Sequence, residues 1–239
     1  MKILVVEDEE ALANGLKFNF EQEGYEAVVA GDGPMAIERF KRANPPFDLV
    51  VLDLMLPGMS GYETCEEIRL QNQQVPILIL SARTLSQDKS QAFDCGSDQY
   101  MTKPFALPEL LSRVRNLLER RATSAQPVKT DRKLQQYQFG DVSVDFGKFE
   151  VTVADATHLP TNLEMQLLRY FIENEGIVLP RHQILQDVWP EDADVTMRTI
   201  DNFVMRLRRL VEKNPAEPRH ILSVRGTGYR FVANPDAED

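Results

Sequence analysis

The sequence predicts an α/β domain built on a five-stranded parallel sheet, followed by a smaller α+β domain. Three observations predict this. Over the first half, short apolar runs alternate with helical patterns. The stretch Phe47–Gly61 (FDLVVLDLMLPGMSG) sets an almost unbroken apolar strand before an Asp and a Pro-Gly turn. The second half changes to strands of period two around a group of helices.

The elements follow in order. Lys2–Val6 (KILVV) is the first strand, and Ala11, Leu12, Leu16 and Phe20 then share one helical face. Gly24-Tyr25 ends that helix and Ala27–Ala30 is the second strand; Gly33–Arg42 is the second helix, with Ala36, Ile37 and Phe40 inward. Leu49–Leu52 reads as a strand buried on both faces. Tyr62–Leu70 is the third helix and Pro76–Leu80 the fourth strand. Leu85–Cys95 is a weak, polar fourth helix stopped by Gly96, and Tyr100–Phe105 carries the fifth strand. Leu107–Arg121 is the fifth helix, with Leu110, Leu111, Val114, Leu117 and Leu118 on its apolar face. The flavodoxin-like pattern gives a sheet order of 2-1-3-4-5.

Chemistry gathers at the strand ends. The first strand runs into Glu7-Asp8-Glu9-Glu10, and the third ends on Asp53. A lone Asp in that position often does no more than end a strand. If strands one and three are neighbours, however, Glu7, Asp8 and Asp53 meet in one cleft, where they need a cation or raised pKa values. An all-oxygen cluster open to water suits Mg2+, and a carboxylate beside Mg2+ can act as a nucleophile toward phosphorus. The fourth strand end adds the Ser81 hydroxyl, and the fifth adds the Lys103 ammonium.

VVEDE, D-x-x-x-P-G-x-x-G, LSA and KPF together resemble the receiver domain of two-component response regulators, over residues 1–121. The resemblance implies that Asp53 accepts a phosphoryl group from a histidine kinase. It implies Mg2+ bound by Asp8, Asp53 and the Met55 carbonyl, with Glu7 helping through water. Ser81 and Lys103 would hold the phosphoryl group, and Tyr100 would change rotamer with Ser81.

Residues 122–136 (ATSAQPVKTDRKLQQ) lack apolar periodicity and read as a flexible linker. Beyond it, Tyr137–Phe139, Val142–Val144 and Phe149–Val153 suggest a small antiparallel sheet. Thr161 and Glu164 form a capping box that opens a helix carrying Leu167, Leu168, Phe171 and Ile172. Arg181–Val188 is a second helix, and a third runs from about Met197 to Val211. Ile221–Val224, the turn Gly226–Gly228 and Tyr229–Val232 make a hairpin. Three helices and a hairpin describe a winged helix-turn-helix. The third helix buries Ile200, Phe203 or Val204, Leu207 and Leu210, leaving Arg198, Arg206 and Arg209 or Arg208 outside. An Arg-bearing helix fits the DNA major groove.

LPTNLEMQLL, RTIDNFVMRLRR and VRGTGYRF resemble the effector domain of OmpR/PhoB-type regulators, over residues 137–233, with 234–239 as a tail. The resemblance makes Met197–Val211 a recognition helix and Arg225–Arg230 a wing entering the minor groove. Candidate contacts to double-stranded DNA are Arg198, Thr199, Arg206, Arg208, Arg209, Arg225, Thr227 and Tyr229. The segment Trp189–Val195 would face RNA polymerase. Phe203 stands where members often carry His, and Met205 where a basic or polar residue is frequent. The same resemblance implies a phosphorylation-dependent homodimer through the fourth helix, fifth strand and fifth helix. Lys89 would pair with Glu109 and Asp98 with Arg120; Gln99 stands where relatives place the Asp that meets Arg113.

Composition bounds the alternatives. With 239 residues of which 43% are hydrophobic, the chain is globular and long enough for two cores. The net charge of -10 argues against nucleic acid, yet Arg198–Arg230 holds eight basic and three acidic side chains, a local +5. Cys65 and Cys95 read as reduced thiols, and His158, His182 and His220 make no metal motif. The strand begins directly after Met1, so no signal peptide is expected, and no apolar run nears the roughly 18 residues of a membrane span. The expectation is a cytoplasmic protein without membrane contact. Two rivals stand beside the response regulator. An aspartyl-nucleophile phosphatase would carry an acid two residues past its nucleophile, where this chain has Met55. A regulator whose receiver is only a scaffold would tend to lose the acids and Lys103, and they are present.

Overall fold

The computed structural model describes residues 1–125, 135–189 and 197–235, apart from the side chains of Ser86, Gln87, Lys89, Ser90 and residues 120–125. The described residues divide into two compact units, Met1–Thr123 and a second beginning at Ser124.

In the first unit, β1 (Lys2–Val6), β2 (Glu26–Ala30), β3 (Leu49–Asp53), β4 (Ile77–Ser81) and β5 (Gln99–Thr102) form one parallel sheet. Its order is β2-β1-β3-β4-β5, as the alternation of apolar runs and helical patterns predicted. The helices are α1 (Glu10–Gln22), α2 (Gly33–Arg42), α3 (Gly61–Gln71), α4 (Ser86–Asp94) and α5 (Leu107–Ala125). Ile3, Val5, Leu49, Val51, Leu78 and Leu80 share a core cluster with Leu16, Phe20, Leu110 and Val114, so α1 and α5 cover one face. Helices α2 and α3 pack against each other. Every residue of β3 and β4 is buried, which is why both read as continuous apolar runs.

Local signals set the helix starts. Asp32 accepts from the Met35 N–H to open α2, and Ser60 with Glu63 forms a reciprocal capping box at α3. Gly61 is required by proximity: a Cβ there would lie 2.1 Å from the Asp53 carbonyl oxygen. The missing side chain lets α3 begin directly behind the end of β3. Helix α4 opens at Leu85 without a side-chain cap, in keeping with its weak polar sequence. Helix α5 continues to Ala125, past the expected end at Arg121, so its last turn takes the start of the expected linker. Residues 126–134 of that linker lie outside the described residues.

The second unit opens with an antiparallel sheet of β6 (Gln136–Phe139), β7 (Val142–Asp145), β8 (Glu150–Val153) and β9 (Ala156–His158). Helices α6 (Asn162–Glu173), α7 (Arg181–Val188) and α8 (Met197–Val211) follow, with β10 (Val178–Pro180) between the first two. β11 (Ile221–Val224) and β12 (Gly228–Phe231) form the closing hairpin, and β10 joins it in the order β10-β12-β11. Strands β9 and β10 were not expected. Each is three residues long, too short to carry a periodic signal. Gly228 pairs with Pro180 and Val224 and so belongs to β12, and a Cβ on it would lie 2.0 Å from the Leu179 carbonyl oxygen of β10. The core face of α8 holds both Phe203 and Val204, and Val211 takes the buried place expected for Leu210. Among the described residues no helix is long and apolar enough to cross a membrane.

Candidate phosphorylation site and nucleic-acid interface

The register of the first sheet aligns Val6 of β1 with Leu52 of β3, so the next residues, Glu7 and Asp53, emerge side by side. Both are buried, at 3% and 5% exposure, while Asp8 is open to solvent. Ligand oxygens of Glu7, Asp8 and Asp53 all lie within 4.8 Å of one another. Lys103, just past β5, reaches across: its Nζ donates to Glu7 Oε2 at 2.6 Å and to Asp53 Oδ2 at 2.5 Å. The other Asp53 oxygen accepts from the Met55 N–H at 2.8 Å. One buried aspartate is thus held at both oxygens, with an exposed acid alongside as the way in.

Charge explains the arrangement. Burial pushes the Glu7 carboxyl up; Lys103 opposes that and the Asp53 charge adds to it. Burial alone would push the Lys103 ammonium down, but its bonds to Asp53 and Glu7 outweigh the desolvation and hold it above its ordinary value. The ammonium is the resident counter-ion of the cluster. Three hard oxygen donors with one solvent-facing side fit Mg2+, and Glu7, Asp8 and Asp53 are the acids that gather there.

The remaining strand ends converge on the same edge. Ser81 closes β4, and its Oγ accepts from the Arg83 N–H at 3.2 Å. The Tyr100 hydroxyl donates to the Arg83 carbonyl at 2.6 Å, tying β5 to the loop before α4. The Arg83 guanidinium meets Met55 Sδ at 3.3 Å and Asp88 of α4 at 2.9 Å. Sequence reasoning passed over Arg83, although its place two residues after Ser81 was the available signal.

In the second unit, α8 presents Arg198 and Arg209 to solvent, and the β11–β12 hairpin presents Arg225 and Thr227. Residues 3–115 match the family described as response regulator receiver domain, and residues 156–231 match transcriptional regulatory protein, C terminal. The sensory transduction protein RegX3 of Mycolicibacterium smegmatis is 41% identical over 96% of this chain and 98% of its own length. The alkaline phosphatase synthesis transcriptional regulatory protein PhoP of Bacillus subtilis is 36% identical, covering 96% of both chains. The chain belongs to the OmpR/PhoB family of response regulators. A solved RitR mutant, 21% identical with a TM-score of 0.73 over 96% of this chain and 98% of its own, shares the fold.

As an OmpR/PhoB regulator, the chain is a two-component transcriptional regulator with a receiver and a DNA-binding domain. The structure separates its expected DNA contacts into two groups. Arg198, Arg209, Arg225 and Thr227 lie at the surface. Thr199 and Tyr229 do not: both are buried, and the Tyr229 hydroxyl donates to Asp201 at 2.6 Å. Arg206 pairs with Glu164 of α6 at 2.6 Å and lies over the Phe203 ring at 4.5 Å. Arg208 donates to the Ile221 carbonyl at 2.7 Å and to Ser223 Oγ at 2.9 Å. These two arginines dock α8 onto α6 and the hairpin, a role that sequence spacing cannot distinguish from groove contact.

The expected dimer residues are also placed differently. Asp98 is buried and pairs with Arg69 of α3 at 2.8 Å, also accepting from the Ile77 N–H. Arg113 is buried and donates to Glu109 within α5 at 2.8 Å. Gln99 is 1% exposed with neither amide atom hydrogen-bonded. Glu109 keeps about half of its side chain in solvent. The side chains of Lys89 and Arg120 lie outside the described residues, as do residues 190–195 of the segment expected to face polymerase. Its first residue, Trp189, is a core residue packed edge-on to Phe203 at 5.3 Å.

The shared cluster predicts how Lys103→Met behaves. Glu7's raised folded pKa gives a contribution that is whole below 4.5 and lost as pH rises through it. Lys103's raised pKa gives one that is whole at neutral pH and lost only above 10.5. Removing the ammonium therefore destabilises the metal-free receiver most near neutrality, by about 2 kcal/mol. It also removes a cation beside the Mg2+ position, so Mg2+ affinity should rise about tenfold. Urea unfolding at pH 5 and pH 7.5, with calorimetric Mg2+ titration, checks both; unchanged Mg2+ affinity would show that ion and ammonium do not compete.

Proposed function

We propose that this regulator takes a phosphoryl group from the phosphohistidine of a sensor kinase onto Asp53. The observation that carries this is the Lys103 ammonium bound to Asp53 Oδ2 and Glu7 Oε2 at one buried sheet edge. An Asp53 oxygen attacks phosphorus and forms an O–P bond, while the P–N bond breaks and its electron pair returns to the kinase imidazole. Asp8, Asp53 and the Met55 carbonyl, with Glu7 through water, would hold Mg2+, which would supply positive charge near the transferring oxygens. Lys103 then exchanges its carboxylate partners for a phosphoryl oxygen, and the Ser81 hydroxyl donates to another.

That exchange carries the signal. The phosphoryl group adds roughly one negative charge and three acceptor oxygens to Asp53. Ser81, when drawn to it, gives up the Arg83 N–H, and the Tyr100–Arg83 contact and α4 shift with that loop. The altered α4, β5 and α5 face supports a homodimer in which Lys89–Glu109, Asp98–Arg120 and Gln99–Arg113 meet. For Asp98 and Arg113, this requires leaving their partners within the chain. Two paired effector domains then hold double-stranded DNA in the cytoplasm and engage RNA polymerase. The boundaries proposed for these parts are 1–121, 122–136 and 137–233.

The test is a labelled small phosphodonor offered to the full chain with and without Mg2+. Uptake that needs Mg2+ and is released by hydroxylamine, as an acyl phosphate is, is the expected result. No uptake, or a label stable to hydroxylamine, would reject the proposal.

A further inference from the structure

Helix α8 has a solvent-facing stripe that the basic residues alone do not describe. Arg198, Asn202, Met205 and Arg209 are spaced by four, three and four residues, so at about 100° per residue they fall within a sector of about 60°. The stripe lies opposite the buried Ile200, Phe203, Val204, Leu207 and Val211. Arg206 and Arg208 flank it, but Glu164 and the hairpin hold them, as described above. The centre of the exposed face is therefore neutral: a carboxamide and a thioether between two guanidiniums.

Two details of that centre call for an explanation. Met205 is 42% exposed, among the large apolar side chains that the described residues leave in water, and its sulfur accepts from the Arg209 guanidinium at 3.8 Å. Asn202 is half-buried on the same face, and no hydrogen bond to its carboxamide occurs among the described residues. In a helix, an Asn that caps nothing and pairs with nothing has little local reason to be there.

We propose that Asn202 and Met205 are the sequence-reading residues of α8, recognising an adenine and a thymine in neighbouring base pairs of the major groove. This rests on the DNA-binding reading of the second unit. The chemistry selects the bases. A carboxamide offers one acceptor and one donor, matching adenine N6–H and N7 in a bidentate pair. The thioether offers no hydrogen-bond donor and is suited to contact with the thymine methyl group. Three residues of helix rise about 4.5 Å, close to one base-pair step of 3.4 Å. Arg198 and Arg209, about 16 Å apart along the helix axis, bracket the pair and supply the charge that phosphates require. A chain carrying -10 overall that puts its two neutral contacts between two cations fits sequence reading better than non-specific adhesion.

The experiment is selection of bound duplexes from random DNA by the phosphodonor-treated full chain, wild type against Asn202→Ala and Met205→Ala. Met205 is exposed and the half-buried Asn202 makes no hydrogen bond among the described residues, so both variants are expected to fold. Wild type should enrich a site containing adjacent adenine and thymine positions. Asn202→Ala should lose the adenine preference and Met205→Ala the thymine preference, each by about 5- to 100-fold at that position for a good contact. On the selected site, replacing that thymine by uracil removes only the methyl group. This should weaken wild type by several-fold and leave Met205→Ala unaffected. Enriched sites identical in all three proteins would overturn this assignment while leaving DNA binding intact. Failure of wild type to enrich any sequence would overturn the DNA-binding reading together with it.

Discussion

Asp53→Asn is expected to abolish phosphoryl uptake by the full chain while leaving its fold in place. The carboxamide keeps the shape of the side chain, and its oxygen still accepts from the Met55 N–H that now meets Asp53 Oδ1 at 2.8 Å. It lacks the anionic oxygen that attacks phosphorus and now accepts from Lys103 at 2.5 Å. Glu7 retains its own bond to Lys103, so the ammonium is not left without a partner. Loss of labelling with a near-normal urea midpoint is the expected pair of results. Continued labelling at the wild-type rate would move the acceptor to another residue, and Asp8 would be the next to test.

The largest expected effect on stability lies away from the site, at Arg69. Its guanidinium is buried and makes four kinds of contact: Gly96 O at 2.8 Å, Val75 O at 2.5 Å, Asn72 O at 3.2 Å and Asp98 at 2.8 Å. It joins the end of α3 to the loops before β4 and β5. Arg69→Met fits the methylene volume but leaves the Asp98 carboxylate buried without its cation, which should cost about 3–5 kcal/mol of receiver stability. Arg69→Met combined with Asp98→Asn removes the stranded charge and should recover part of that loss. Urea unfolding of the two variants measures the coupling. A single-variant cost under about 1 kcal/mol would mean that the pair is dispensable.

That pair shows where sequence reading stops. Asp98 was expected to face a second copy of the chain, and Arg69 lay in the third helix with no role assigned to it. Exposure and partnership of a charged residue depend on what the fold brings within reach, and here a pair 29 residues apart closes inside one domain. The same limit applies to α8. Spacing could say that Arg206 and Arg208 lie off the apolar stripe, but not that Glu164 and the Ile221 carbonyl wait beside them. Tyr229 likewise was expected to contact DNA, yet it is buried and its hydroxyl donates to Asp201.

The sequence by itself determined the parallel sheet and its order, the acidic cluster, Lys103, and the helix that bears the basic residues. Those features rest on short-range signals: unbroken apolar runs make doubly buried strands, and strand ends in a parallel sheet fall on one edge. Only the tertiary structure decided which cations are spent inside the protein and which remain for a ligand. A guanidinium's role depends on the acceptors within about 3 Å of it, and these come from remote parts of the chain. Arg69, Arg206 and Arg208 found theirs within the fold, and Arg198 and Arg209 remain at its surface.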